Sequence, residues 1–257
     1  MSVVAMLGKE WIEYIRTYKL FLLIMVFVLF AIMSPAAAYY MADILKSAGI
    51  NSAALSDPML QNPTYLASFQ QFFKNVGQMG LLVLAIVFAG VTANDISKQT
   101  IVPLLAKGLK RDAAIYGKLC TAFLVWGLVY AVCVAVMLAY TAYYFDMQNM
   151  EGVAISLLGI FEFGLLLIVL LGLGGVMYKS QVGALVAVGV FILLLTLLSV
   201  FTPQLEYINP ITMISQGYGV VAGTYDVGDF ITSMWVGLGL VFIGCVATVF
   251  SFRKVQF

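Results

Sequence analysis

The chain of 257 residues contains no histidine. That removes imidazole-ligated haem, imidazole-bound zinc and every Ser-His or Cys-His nucleophile pair. Charge is scarce too: Asp, Glu, Lys and Arg make up 10% of the residues, where soluble domains carry roughly 25%. The net charge of +1 therefore carries no information about nucleic acid. A phosphate-binding loop of the G-x-x-x-x-G-K-[ST] form is missing. Gly117-Lys118 is followed by Leu119, and the nearest upstream glycine, Gly108, is too distant. If ATP is used, another chain must bind it. The three cysteines, Cys120, Cys133 and Cys245, all fall in apolar stretches, where a thiol is expected to pack as a small hydrophobe without forming a disulfide.

What the chain does have is hydrophobic residues, 63% of the total. They form runs of spanning length at about 20–40, 76–93, 119–144, 153–177, 182–201 and 230–250. Each satisfies the need for about 20 apolar residues to cross a bilayer core roughly 30 Å thick. The expectation is an all-α polytopic membrane protein of six spans, with 1–257 as one transmembrane domain. The first run is too long for a removed signal peptide, and Lys9, Glu10 and Glu13 make an unusual leader, so it is expected to stay as a span.

Orientation follows from the cations. With the N-terminus inside, Lys9, Arg16, Lys19, Lys98, Lys107, Lys110, Arg111, Lys118, Lys179, Arg253 and Lys254 are cytoplasmic, and only Lys46 and Lys74 lie outside. Eleven against two is the positive-inside pattern, and both termini are expected in the cytoplasm. Residues 1–19 precede the first span. Leu7, Trp11, Tyr14, Ile15 and Tyr18 share one face at a 3.6-residue period, and Lys9, Glu13 and Arg16 occupy much of the other. This predicts an amphipathic helix lying in the membrane interface. Outside, residues 41–75 form the longest connection, with turn signals at Asp57-Pro58 and Asn62-Pro63. Tyr65, Phe69, Phe72 and Phe73, three and four apart, predict a short packed helix on the outer face. Between spans five and six, Asn209-Pro210 marks a turn, and residues 211–221 predict a re-entrant or interfacial helix ended by Gly223.

The second cytoplasmic connection, residues 93–118, is richer than a passive link requires. It supplies a short helix with Ile96, Ile101, Leu104 and Leu105 as an apolar set, a break at Gly108 and a basic cluster after it. An apolar side as anchor with charge as rim suits a groove on a partner; a basic loop that merely satisfies orientation remains the other reading.

These residues resemble a family. Permeases of type-2 ATP-binding-cassette exporters carry, after the second span, an acid, Gly-Thr, a Leu-Leu pair, a Pro-x-x-Arg step and Gly-Lys opening the third span. Here Asp95, Thr100, Leu104-Leu105, Arg111 and Gly117-Lys118 stand at matching spacing. The interfacial start, Lys9-Glu10 with Trp11 and Arg16, and the Asn209-Pro210 step are similar too. Gln99 stands where the family often has glycine, and Gly108 where it often has proline. The resemblance implies a pair of permeases, identical or related, and two cytoplasmic ATPase subunits that hold ATP and Mg. The loop helix would be the coupling helix, with Asp95, Thr100, Ile101, Leu104, Leu105, Arg111 and Lys118 facing the ATPase. Lys179, in the loop between spans four and five, would make a minor second contact. It implies no cofactor or metal on this chain, no catalysis by it, and a place in a cell membrane, in a bacterium.

Glu162 lies nine residues after Val153, about 14 Å along a helix rising roughly 1.5 Å per residue. That is near the bilayer midplane, where a carboxyl is costly. Two roles stay open: an interhelical tie to hydroxyls such as Thr141, Ser199 or a tyrosine, or a substrate- or ion-contacting group. Gly172, Gly174 and Gly175 read as packing or flexibility. The function expected is export of a hydrophobic or amphipathic substrate, such as a bacteriocin-like peptide, a lipid-like compound or a drug. The alternatives are an ion-coupled secondary transporter using Glu162, or a six-span intramembrane enzyme.

Overall fold

A backbone crossing hydrocarbon must pair its own N–H and C=O groups, which leaves this chain the helix as its solution. The computed structural model describes residues 3–47, 64–106, 108–146 and 151–255, and among these it is helical with no strand. Six helices are long and apolar enough to cross a membrane: Lys19–Met41 (within the helix Lys19–Ser47), Tyr65–Ser97, Arg111–Tyr144, Val153–Tyr178, Gln181–Phe201 and Val227–Arg253. The six-span, all-α expectation holds. The turn signals at Asp57-Pro58 and Asn62-Pro63 lie outside the described residues.

Several boundaries differ from the sequence expectation. The aromatic segment is not a separate helix. Tyr65–Lys74 runs through a π-helical stretch, Asn75–Gly80, directly into Leu81–Phe88. Phe69, Phe72 and Phe73 are buried at helical spacing against the first span, and the Ser68 and Thr141 hydroxyls share a 2.8 Å hydrogen bond. Burial of that face makes the segment an extension of the second span. Likewise the third span begins at Arg111, so Gly117-Lys118 lies almost two turns inside a helix. Residues 211–221 form two short helices, Thr212–Ser215 and Gly217–Val221, where one was expected. Before them Asn209 is buried. Its amide donates to the Leu195 carbonyl of the fifth span (2.7 Å) and its Oδ1 accepts from the Ile211 amide (3.1 Å). That explains the Asn-Pro step: asparagine fills the turn and the fifth-span acceptor together.

The fourth span is the hub, packed against the third, fifth and sixth. Trp126 of the third span fits over Gly164 and donates to the Phe161 carbonyl (2.9 Å). Tyr130 donates to the Leu157 carbonyl (2.6 Å). The fifth span, by contrast, buries only Ala184 and Val188. Of the cysteines, all free, Cys133 is buried and Cys120 is exposed on its helix. A second, smaller apolar core closes one end of the bundle. Met6, Ile96, Ile101, Ile115, Phe252 and Val255 meet there, so the N-terminal helix Val3–Arg16, the 93–118 connection and the end of the sixth span share one end.

Candidate functional site

At that end three ionised groups are buried together. Lys118 is 3% exposed, and its ammonium meets Glu10 Oε1 at 2.9 Å and the Asp95 carboxylate on its other side. Thr100 donates to the second Asp95 oxygen, Oδ1, at 2.6 Å. Glu10 also takes Lys9 at 2.8 Å, and Lys9 reaches Glu13 at 3.0 Å. Burial works against the Lys9 ammonium, but the hydrogen bond and charge of Glu10, with Glu13 behind it, outweigh that and raise its pKa above the ordinary 10.5. Charges with this little water are tolerated only when paired and hydrogen-bonded. The cluster therefore fixes three separate segments to one another: the N-terminal helix, the connection after the second span and the base of the third.

Local sequence explains how the segments come so close. A Cβ on Gly117 would lie 2.6 Å from Met6 Cγ, so glycine there lets the N-terminal helix settle on the third span. One residue on, Lys118 points at Glu10. The Gly-Lys pair thus places a backbone notch beside a buried cation. A Cβ on Gly175 would meet Thr92 Oγ1 at 2.3 Å and the Ala93 amide nitrogen at 2.9 Å. Thr92 donates to the Gly172 carbonyl at 2.7 Å. Gly172 and Gly175 of the fourth span therefore form a packing surface for the start of the connection, while Gly174 lies against Ala184 of the fifth span.

The connection itself is two short helices, Ala93–Ser97 and Val102–Ala106, where one was expected. Gln99 breaks it with a left-handed φ of +54°, a conformation that glycine adopts freely and a side chain resists. Pro103 stands at the second helical position, where its missing N–H costs nothing. Gly108, with φ +86°, ends the second helix as expected. The apolar set is divided. Ile96 and Ile101 are buried in the chain's own core, Ile101 at 1% exposure, and so are not offered to a partner. The Leu104 and Leu105 side chains lie outside the described residues, while Lys98, Gln99, Thr100, Pro103 and Ala106 are exposed.

Lys118 is turned inward, whereas Arg111 is exposed and spent on the end of the sixth span. Arg111 donates to the carbonyls of Arg253 (2.8 Å) and Val255 (2.9 Å), a cation on the negative end of the sixth-span helix. Asp112 takes Arg253 with both oxygens, at 2.7 and 2.5 Å. Lys179 is exposed, with φ +52°, at the turn between spans four and five. Beside it Gln181 donates to the Asn94 side chain, which joins that turn to the connection. On the N-terminal helix the expected apolar face is split. Tyr14 is buried with Met6 and Glu10, Trp11 is half-buried, and Ile15, Arg16 and Tyr18 are exposed. Sequence reasoning singled out Glu10, Asp95 and Lys118 but did not pair them; it gave no role to Asn94, Gln181 or Asp112 and counted Arg253 only as a cytoplasmic cation. Nothing in the order of residues pairs groups that far apart in the chain.

Glu162 is buried at 4% exposure against Gly237 of the sixth span. Of the hydroxyls expected to hold it, Thr141 is bonded to Ser68 and Tyr130 to Leu157. Glu162 Oε1 has no hydrogen-bond partner where it meets Gly237, and the Leu238 backbone amide of the sixth span donates to the carboxyl.

No curated protein and no solved structure matches the chain. The family model described as ABC-2 family transporter protein matches residues 4–256, nearly the whole length. Such permeases are the membrane component of ABC transporters and associate with ABC ATPases. With six spans and a match from end to end, this chain belongs to the ABC-2 transporter family as a multi-pass permease subunit.

Proposed function

We propose that this permease is an exporter subunit, moving a hydrophobic or amphipathic compound out of the cytoplasm while a separate subunit hydrolyses ATP. The observation that carries the reading is the buried Glu10–Lys118–Asp95 cluster. A loop meant to receive force must be joined rigidly to the elements it moves, and here it is joined to the third span and the N-terminal helix by paired, water-poor charges. Arg111 and Lys118 then act as positioning residues, and the exposed residues Lys98, Gln99, Thr100, Pro103 and Ala106 mark the docking face, for which the sequence offers the Leu104-Leu105 pair as apolar anchors. ATP-driven closure of the ATPase pair moves the permease only because its conformations fit the closed pair unequally. The exposed apolar sides of the first and fifth spans, including Met25, Leu29, Val190 and Leu194, support pairing of two permeases along them. Exposed Ile15 and Tyr18 suit a cytoplasmic lipid interface.

The test is Leu104→Asp, co-expressed with an ABC ATPase that co-purifies with the wild-type permease. A charge buried without a partner costs several kcal/mol, so the variant is expected to insert in the membrane yet lose the ATPase on co-purification. Full retention of the ATPase overturns the assignment of this loop.

A further inference from the structure

The seam between the fourth and sixth spans is cut by glycine notches. A Cβ on Gly159 would lie 2.6 Å from Phe230 Cζ, and one on Gly244 would lie 2.5 Å from Val169 Cγ1. Between them, a Cβ on Gly237 would meet Glu162 Oε1 at 2.5 Å and Met213 Cε at 2.3 Å. Phe230, Gly237 and Gly244 recur every seven residues and so lie along one stripe of the sixth span. Of the side chains that these three glycines receive, every one is apolar except one.

That one is Glu162. Its Oε1 has no hydrogen-bond partner, although the Leu238 backbone amide bears on the carboxyl from the sixth span. Among the described residues the other such buried side-chain atom is Ser156 Oγ, six residues earlier on the same helix. The nearest sixth-span hydroxyl one turn away, Ser233, is spent on the Tyr207 and Asp229 carbonyls. Buried polar atoms are nearly always paired, and an orphan raises the free energy of the arrangement that holds it. Both orphans belong to the hub helix of the bundle, and Glu162 lies on the seam itself, where each side chain seats in a glycine notch and not between two opposing side chains.

We propose that the fourth and sixth spans part along this seam during the transport cycle. Glu162 keeps one oxygen, Oε1, without a partner while the seam is closed; that oxygen is hydrated when the seam opens, and so biases the permease against staying closed. Its role is conformational, with no contact to substrate. The proposal rests on the exporter reading only for the cycle that opens the seam.

The decisive variant is Glu162→Leu, apolar and of comparable bulk. It removes the orphan, so the purified permease should melt several degrees higher than wild type, while ATP-driven transport in vesicles falls by about 10-fold. Glu162→Gln leaves a polar group in the notch and should transport within about twofold of wild type. A Leu variant that melts lower than, or level with, wild type overturns the proposal, since a tie between helices would give that result. Should the Leu variant not fold, accessibility decides. In a chain with Cys120, Cys133 and Cys245 replaced by alanine, Glu162→Cys should react with a membrane-impermeant maleimide during ATP turnover and resist it without nucleotide. Protection under both conditions overturns the proposal. If wild type shows no ATP-driven transport, the exporter reading fails, and the melting comparison still judges the seam by itself.

Discussion

Lys118 and Glu10 meet at 2.9 Å across a separation of 108 positions in the chain, both almost without solvent. One belongs to the third span and the other to the N-terminal helix, so a single ion pair joins the start of the chain to its middle. With Asp95 also on the ammonium, it is the fastening of the connection after the second span as well.

Among the described residues, removing Lys118 takes the only ion-pair partner from buried Asp95, which keeps the Thr100 hydroxyl, and leaves Glu10 with Lys9 alone. Breaking a buried pair from one side costs about 3–5 kcal/mol, so Lys118→Met is expected to lower the melting temperature sharply in detergent. The triple replacement Glu10→Gln, Asp95→Asn, Lys118→Met removes every charge together and should recover most of the loss. Recovery of stability without recovery of transport would identify the charges themselves as needed for coupling. A single Lys118→Met variant as stable as wild type would show that the cluster is not structural.

An added Cβ on Gly175 would meet the Thr92 side chain, Oγ1 at 2.3 Å, and also fixed backbone, the Ala93 amide nitrogen at 2.9 Å. Gly175→Val should therefore push the connection off the fourth span and break the 2.7 Å bond from Thr92 to Gly172. Overpacking of this kind costs about 1–3 kcal/mol. The expected result is impaired co-purification with the ATPase, with the protein still in the membrane fraction. Thermal melting of the permease alone measures the stability share of the effect.

Gln99 holds φ +54° between the two loop helices. A non-glycine residue there is strained by about 1 kcal/mol, which glycine relieves. Gln99→Gly is expected to leave membrane insertion and ATPase binding intact and to raise the melting temperature slightly or leave it unchanged. Gln99→Val, β-branched in a left-handed position, should do the reverse. Equal melting of the two variants would mean that the break between the helices does not depend on this residue.

The sequence by itself determined the number of spans, the all-helical class and the family. These follow from the lengths of apolar runs and from short motifs, which are one-dimensional quantities. It also determined the breaks at Gly108 and at Asn209-Pro210, because backbone preference there is carried by the residue itself. Tertiary structure alone decided which way side chains on those helices point. Ile101 and Leu104 look alike on a helical period, yet a kink at Gln99 sends Ile101 into the second core. Lys118 looks like one more cytoplasmic cation, and only the meeting of three distant segments gives it two buried acids. Glu162 is recognisable as costly from its depth, but its neighbour was chosen by helix packing: the sixth span presents Gly237, and no hydroxyl comes with it. Pairing between residues far apart in the chain depends on distances through space, and the order of residues along a chain does not contain them.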